Sequence, residues 1–380
     1  MKITAVNLFL TDDNRPSVYV EIETDDGIRG YGESSIGFAP QGPYGQLLDL
    51  KPYLIGEDPE RIEYLWQMAH RVLFYRGGPD TGAALAGIDM ALWDIKGKKY
   101  GVPVYQLLGG RARDRVLVYG HVGGMNAKEL VEHAKERVGR GVRFLRFRGF
   151  HDHDANAFHD HQTAVEQSTE YMAALREALG DATEIILECH GRFDPRWAIE
   201  LAHRVRKYRP FLLEDPIRHE NPSVLAEIRA KTDIPIATGE RYHDKWAFTE
   251  IINDRHVDYV RPDIAHCGGI TEMRKIAAMA EVQYIKVIPH NNSGPLGTAA
   301  TLHAALAIPN IELVEAPFVN AATHRYQVTS PYPHFEDGFA DVPDRPGLGV
   351  DFDVEAAMTR KPSFIELPKL KGVDGSAQDF

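Results

Sequence analysis

The chain has 380 residues, 43% of them hydrophobic and 26% charged, which is room for two domains, one of them barrel-sized, with ample core. Its 43 Lys and Arg stand against 55 Asp and Glu, and a net charge of −12 argues against non-specific nucleic-acid binding and against an anionic membrane surface. The opening MKITAVNLFLTDDN soon turns polar, and no apolar run reaches the ~18 residues of a membrane span, so a cytoplasmic location without a signal peptide is expected. Cys189 and Cys267 offer neither a disulfide framework nor zinc spacing and read as small buried residues.

Residues 1–35 alternate in ITAVNLFLT and SVYVEIETDDG, turn at Asp26-Gly27, and return in IRGYGES, which predicts three antiparallel strands. Residues 42–108 are helical in pattern, with apolar residues of Gly82–Lys98 spaced by three and four and a stop near Gly101 and Pro103. An α+β domain is therefore expected over 1–115. Eight short apolar runs follow between 116 and 320. They end at Gly120, Arg148, Glu188, Glu214, Glu240, Asp263, His290 and Glu315, with helix-like stretches such as Val224–Lys231 and Thr271–Glu281 between them. A (β/α) barrel puts its chemistry at the C-terminal ends of its strands, where these residues fall. The tail, 321–380, holds Pro331, Pro333, Pro343 and Pro346, is not barrel, and is expected to return to the first domain as PGLGVDFD.

Three of the strand-end residues share one interval: 214 − 188 and 240 − 214 are both 26. A βα unit occupies about that length, so Glu188, Glu214 and Glu240 fall at equivalent points of neighbouring parallel strands. Three carboxylates forced together call for a cation, and hard oxygen ligands suit Mg²⁺. The plainer reading, acids that cap the helices after strands, explains one such residue better than a registered set.

A cation beside a substrate carboxylate stabilises the charge that appears when the adjacent carbon loses a proton, and that step needs a base. Asp263 and His290 end successive strands, so they are predicted to form a dyad in which the acid fixes the imidazole tautomer. The alternative is a core histidine capped by an acid. His190 lies two residues beyond Glu188 and, on strand parity, enters the mouth to protonate a leaving hydroxyl on the next carbon. Arg146 and Arg148 share a face and suit carboxylate binding. Glu315 is a candidate to bond the substrate if protonated or water-bridged, or else a helix cap. His219, His243 and His266 have no such partners in this reading. The stretch 151–161, HDHDANAFHDH, is read as a lid with metal binding as the lesser alternative. Loops 11–16 and 36–46, with Tyr75 and Arg76, are the expected specificity elements.

ECHGRFD, LLEDP, ATGER, RPDIAHCGGITE and IPHNNSGPLG resemble the enolase superfamily in its mandelate-racemase-like branch, and FYRGGPDTGAALAGIDMALWDIKGK is similar to galactonate dehydratases. The resemblance implies an α/β fold, a (β/α)7β TIM-like barrel under an α+β capping domain. It also implies one Mg²⁺ on Glu188, Glu214 and Glu240, base His290 with Asp263, and acid His190. The implied reaction is dehydration of a galactonate- or gluconate-like acid sugar to a 2-keto-3-deoxy acid, in a homo-oligomer. Three departures stand out. Glu188 replaces the usual Asp, Arg146 or Arg148 replaces a strand-two Lys, and the residues after His290 differ from those of the galactonate enzymes. The alternatives are an epimerase, racemase or cycloisomerase of a sugar acid, and a non-catalytic metal-binding member.

Overall fold

The computed structural model describes residues 1–12, 16–150, 158–316, 328–330, 333–360 and 366–379. The amino-terminal alternation becomes a three-stranded antiparallel sheet, Ile3–Asp12, Pro16–Thr24 and Arg29–Ser34, in sequence order. Helices Gln41–Leu54, Ile62–Val72 and Pro79–Tyr100 follow. The last of these lies hard against the third strand. A Cβ at Gly32 would sit 2.0 Å from the carbonyl oxygen of Gly87, so only glycine permits that approach.

Eight parallel strands form the second body: Val116–Val122, Phe144–Arg148, Glu184–Glu188, Leu212–Glu214, Ile236–Thr238, Tyr259–Val260, Lys286–Val287 and Val314–Glu315. The eighth closes onto the first through Val314 opposite Val118, and Glu312 N donates to Val287 O at 2.9 Å to join it to the seventh. Helices Ala127–Gly139, His161–Leu179, Pro195–Val205, Leu225–Arg229, Lys245–Asn253, Gly269–Val282 and Pro295–Ala307 fill the crossovers. This is the expected (β/α)7β barrel with its capping domain.

Strand parity organises the barrel interior. Tyr119, Phe144, Ile186, Leu212, Ala237, Ile288 and Leu313 make one buried layer, with Tyr259 packed against it. Side chains two residues further along a strand face the same way, one layer nearer the mouth. That next layer reads His121, Arg146, Glu188, Glu214, Arg261, His290 and Glu315.

The carboxyl-terminal segment touches both bodies. Its hairpin, His334–Glu336 with Phe339–Asp341, pairs antiparallel on Val116 and Leu117. Further on, Phe352 lies against the rings of Phe9, Tyr19 and Tyr31 in the capping sheet. The seam between cap and barrel is polar as well as apolar: Trp66 Nε1 donates to Gly268 O at 2.8 Å and Trp93 Nε1 to Thr271 Oγ1 at 3.0 Å. Among the described residues no helix is long and apolar enough to cross a membrane.

Candidate active site

Glu188 and Glu214 are the last residues of the third and fourth barrel strands, and Glu240 stands two residues beyond the fifth. One carboxylate oxygen from each lies within 4.8 Å of the others. Glu188 and Glu214 are fully buried. Both Glu214 oxygens lack a hydrogen bond, although Arg261 Nη2 comes to 3.0 Å of Oε1 without the geometry of one. Buried carboxylate oxygens left in this state are costly, and a hard divalent cation satisfies them. The oxygen-only donor set therefore fits Mg²⁺. Glu188 is more committed: Oε1 accepts from the His190 backbone N–H at 2.5 Å, and Oε2 meets Arg146 Nη2. Burial works against ionisation of Glu240, but His290, His190 and Arg241 outweigh it and hold this carboxyl at about 2.

Asp263 and His290 face each other across a single parallel bridge. Asp263 Oδ2 accepts from His290 Nδ1 at 2.5 Å, and Asp263 Oδ1 accepts from Ala265 N at 2.7 Å. These bonds orient the acid and leave His290 Nε2 as the working nitrogen, 3.4 Å from Glu240 Oε2 and 3.9 Å from Glu315 Oε2. Burial pulls the imidazole down, but Glu315, Glu240 and Asp263 outweigh it and raise His290 to about 10. Glu240 is also one of the three carboxylates that a cation would neutralise.

His190 reaches the cluster by a different route from the one its parity suggests. The strand stops at Glu188, and His190 takes a left-handed φ of 53°. That turn brings Nε2 to 3.9 Å from Glu240 Oε1, so the two imidazoles approach opposite oxygens of one carboxylate. Burial, aided by Arg148, holds His190 well below its ordinary value. Arg146 enters the cluster, 3.7 Å from Glu214 Oε1, while Arg148 is half-buried in register with Glu188.

Glu315 differs in part from its sequence reading. Its Oε1 bonds His121 Nε2 at 2.7 Å, and its Oε2 accepts from Arg261 Nη2 at 2.9 Å and Asn291 N at 3.1 Å. Burial opposes its charge, yet His290, His121 and Arg261 hold it well below the usual carboxylate range. Glu315 is thus engaged by three protein donors, which argues against a direct contact as a protonated donor and leaves the water-bridged contact as the candidate.

His121 and Arg261 had no role in the sequence reading. Their signal was parity, since each lies two residues beyond an inward-facing tyrosine, Tyr119 and Tyr259. His266 is corrected as well: Nδ1 lies 3.9 Å from Asp263 Oδ2, so it has an acidic neighbour. The structure does not bring Tyr75 or Arg76 to the cluster. Tyr75 is 91% exposed with its ring edge-on to Phe74, and Arg76 is exposed. Of the histidine-rich stretch, 151–157 lie outside the described residues, as do 13–15 in the first expected specificity loop. His161 stacks on Trp197 at the start of its helix. Cys189 and Cys267 are free and buried, as expected.

Comparison with known proteins agrees with this architecture. Residues 5–109 match the mandelate racemase / muconate lactonizing enzyme amino-terminal domain, and 129–357 match the enolase carboxy-terminal domain-like family. The chain belongs to that enolase-type family. It is 36% identical over 365 residues to a D-galactonate dehydratase of Pectobacterium atrosepticum, covering 95% of this chain and 94% of the relative. A D-galactonate dehydratase of Ralstonia pickettii is 36% identical over 370 residues, 96% of each chain. An enolase from Pantoea ananatis, solved with bound D-gluconate and Mg, superposes with a TM-score of 0.93 at 30% identity over 99% of both chains.

Proposed function

We propose that this protein is an Mg²⁺-dependent dehydratase of an aldonate, giving a 2-keto-3-deoxy acid. The chain is a hydro-lyase, acting on an acid sugar, in line with dehydratase relatives aligned along almost its whole length. The observation that carries the finer reading is one juxtaposition. His290, held by Asp263 at 2.5 Å, presents Nε2 3.4 Å from Glu240, beside two buried carboxylates that ask for a cation.

Glu188, Glu214 and Glu240 would hold Mg²⁺. When bound, it supplies positive charge for the substrate carboxylate and for the charge that builds up on it as the α-proton leaves. His290 Nε2 removes that α-proton, while Asp263 accepts from Nδ1–H and stabilises the imidazolium formed. His190 delivers a proton to the hydroxyl that departs from the β-carbon, so water is lost and the keto acid remains. Arg146, on the same floor, places a permanent positive charge beside the carboxylates.

The test is a panel of four- to six-carbon acid sugars assayed with Mg²⁺ for 2-keto acid formation. At least one aldonate is expected to be dehydrated, with activity lost on chelation and restored by Mg²⁺. Solvent-deuterium exchange at the α-carbon without loss of water from any acid in the panel would overturn dehydration in favour of epimerisation.

A further inference from the structure

Helix Pro295–Ala307 begins five residues after His290, and its own sequence provides no cap. Its N-cap is Gly294, with no side-chain cap bond and no acid in the first turn. A helix start left like this has orphan N–H groups that need an acceptor. The acceptor comes from the other domain. Glu33, the fully buried carboxylate near the end of the third capping strand, accepts from Gly294 N at 2.6 Å through Oε1 and from Gly297 N at 3.0 Å through Oε2. Gly294 leaves the room this requires, because a Cβ there would lie 2.9 Å from Glu33 Oε1 and 2.9 Å from the Tyr19 hydroxyl.

The segment from His290 to Thr298 is thus tied at three places. Asp263 holds the imidazole of His290. Glu315 holds Asn291 through its backbone N–H, and the Asn291 Nδ2 donates to Glu315 O at 3.1 Å. Thr298 Oγ1 donates to Asn291 Oδ1 at 3.2 Å and so links that residue to the helix. Asp263 and Glu315 hold the segment from the barrel, and Glu33 holds it from the cap. Without Glu33, Gly294 N and Gly297 N would lose their acceptor at the start of the helix that follows His290. Displacements of about 1 Å at a catalytic group can cost ~100-fold in rate.

We propose that Glu33 is a positioning residue for His290: through the start of this helix, the capping domain sets the register of the base. This rests on His290 being the base. In Glu33→Ala, kcat for the aldonate that the wild type dehydrates is expected to fall about tenfold or more, with KM and the Mg²⁺ dissociation constant, by calorimetry, within about twofold. The primary isotope effect on kcat with α-deuterated substrate is expected to rise, because proton abstraction becomes slower than the steps around it. Glu33→Gln keeps one acceptor and is expected to recover part of the rate. It also carries the test if the alanine variant does not fold.

A purely structural role would lower Tm without moving the isotope effect, and that result would overturn the proposal. A second readout is free of turnover: the low-field proton NMR signal of the His290–Asp263 hydrogen bond should broaden or shift in both variants. If this signal moves while the wild type dehydrates no acid sugar, the coupling stands and the dehydratase reading falls. An active wild type with an unmoved signal and unchanged kinetics in the variants removes Glu33 alone.

Discussion

His290 and His190 approach the two oxygens of Glu240 from either side, at 3.4 and 3.9 Å, yet their environments differ in sign. Glu315, Glu240 and Asp263 raise His290 against its burial, whereas burial, with Arg148 and Arg241 adding to it, lowers His190. A cation that neutralised Glu240 would remove part of what raises His290 and free its Nε2 to accept a proton, so the base role rests on the Asp263 geometry together with that ion. His290→Asn is therefore expected to abolish α-proton exchange, with kcat down roughly 10²- to 10⁴-fold, while calorimetric Mg²⁺ binding persists. His190→Asn should stop water loss yet leave exchange measurable by NMR in D₂O. If His290→Asn retained exchange, the histidine would lose the base role.

At the scale of elements, the barrel's strands and helices carry the dyad, but the cap fastens the helices that follow it. Helix Gly269–Val282, the one after Asp263, begins against Asp89 of the long capping helix, whose Oδ2 accepts from Thr271 N at 3.0 Å. A helix start favours a negative charge, whereas complete burial opposes it. Here burial wins and pushes the Asp89 carboxyl up to about 7, with Oδ1 left without a partner. Its unfolded value is near 3.9, so between about pH 4 and 7 the native state holds a proton that the unfolded chain has released. Stability from this group accordingly falls as pH rises through that window. Asp89→Asn should flatten that loss, so that urea melts show the variant gaining on the wild type between about pH 4 and 7. Parallel pH dependences for the two proteins would contradict it. Neither this contact nor that of Glu33 was legible in the sequence, because each links segments more than 180 residues apart. What was legible had a period. The 26-residue spacing of Glu188, Glu214 and Glu240 is the length of a βα unit, and it located the cluster without coordinates. His121 and Arg261 obey the shorter period of the strand, which becomes readable only once Tyr119 and Tyr259 are known to face inward. Tyr75 and Arg76 were assigned without either period, and the structure leaves them at the surface.

For the whole molecule the consequence is a charge imbalance that folding alone does not resolve. Glu188, Glu214, Glu240, Asp263 and Glu315 converge on one end of the barrel, against the fixed cations Arg146, Arg241 and Arg261. Glu214 bears the cost most plainly, fully buried with neither oxygen hydrogen-bonded. A cation that binds this cluster only in the folded state must stabilise the fold by mass action, by about 2.7 kcal/mol when its concentration is 100 times its dissociation constant. Calorimetric unfolding of the wild type is expected to shift up by several degrees with Mg²⁺ and to return on chelation. NaCl at equal ionic strength should not reproduce the shift, since the carboxylates are buried and poorly screened. Glu214→Gln supplies the reverse case. Loss of one charge relieves the repulsion, so its metal-free Tm should equal or exceed that of the metal-free wild type, while the Mg²⁺ shift largely vanishes. Equal Mg²⁺ shifts in the two proteins would mean that the ion binds elsewhere, and the assignment of the cluster as its site would fall.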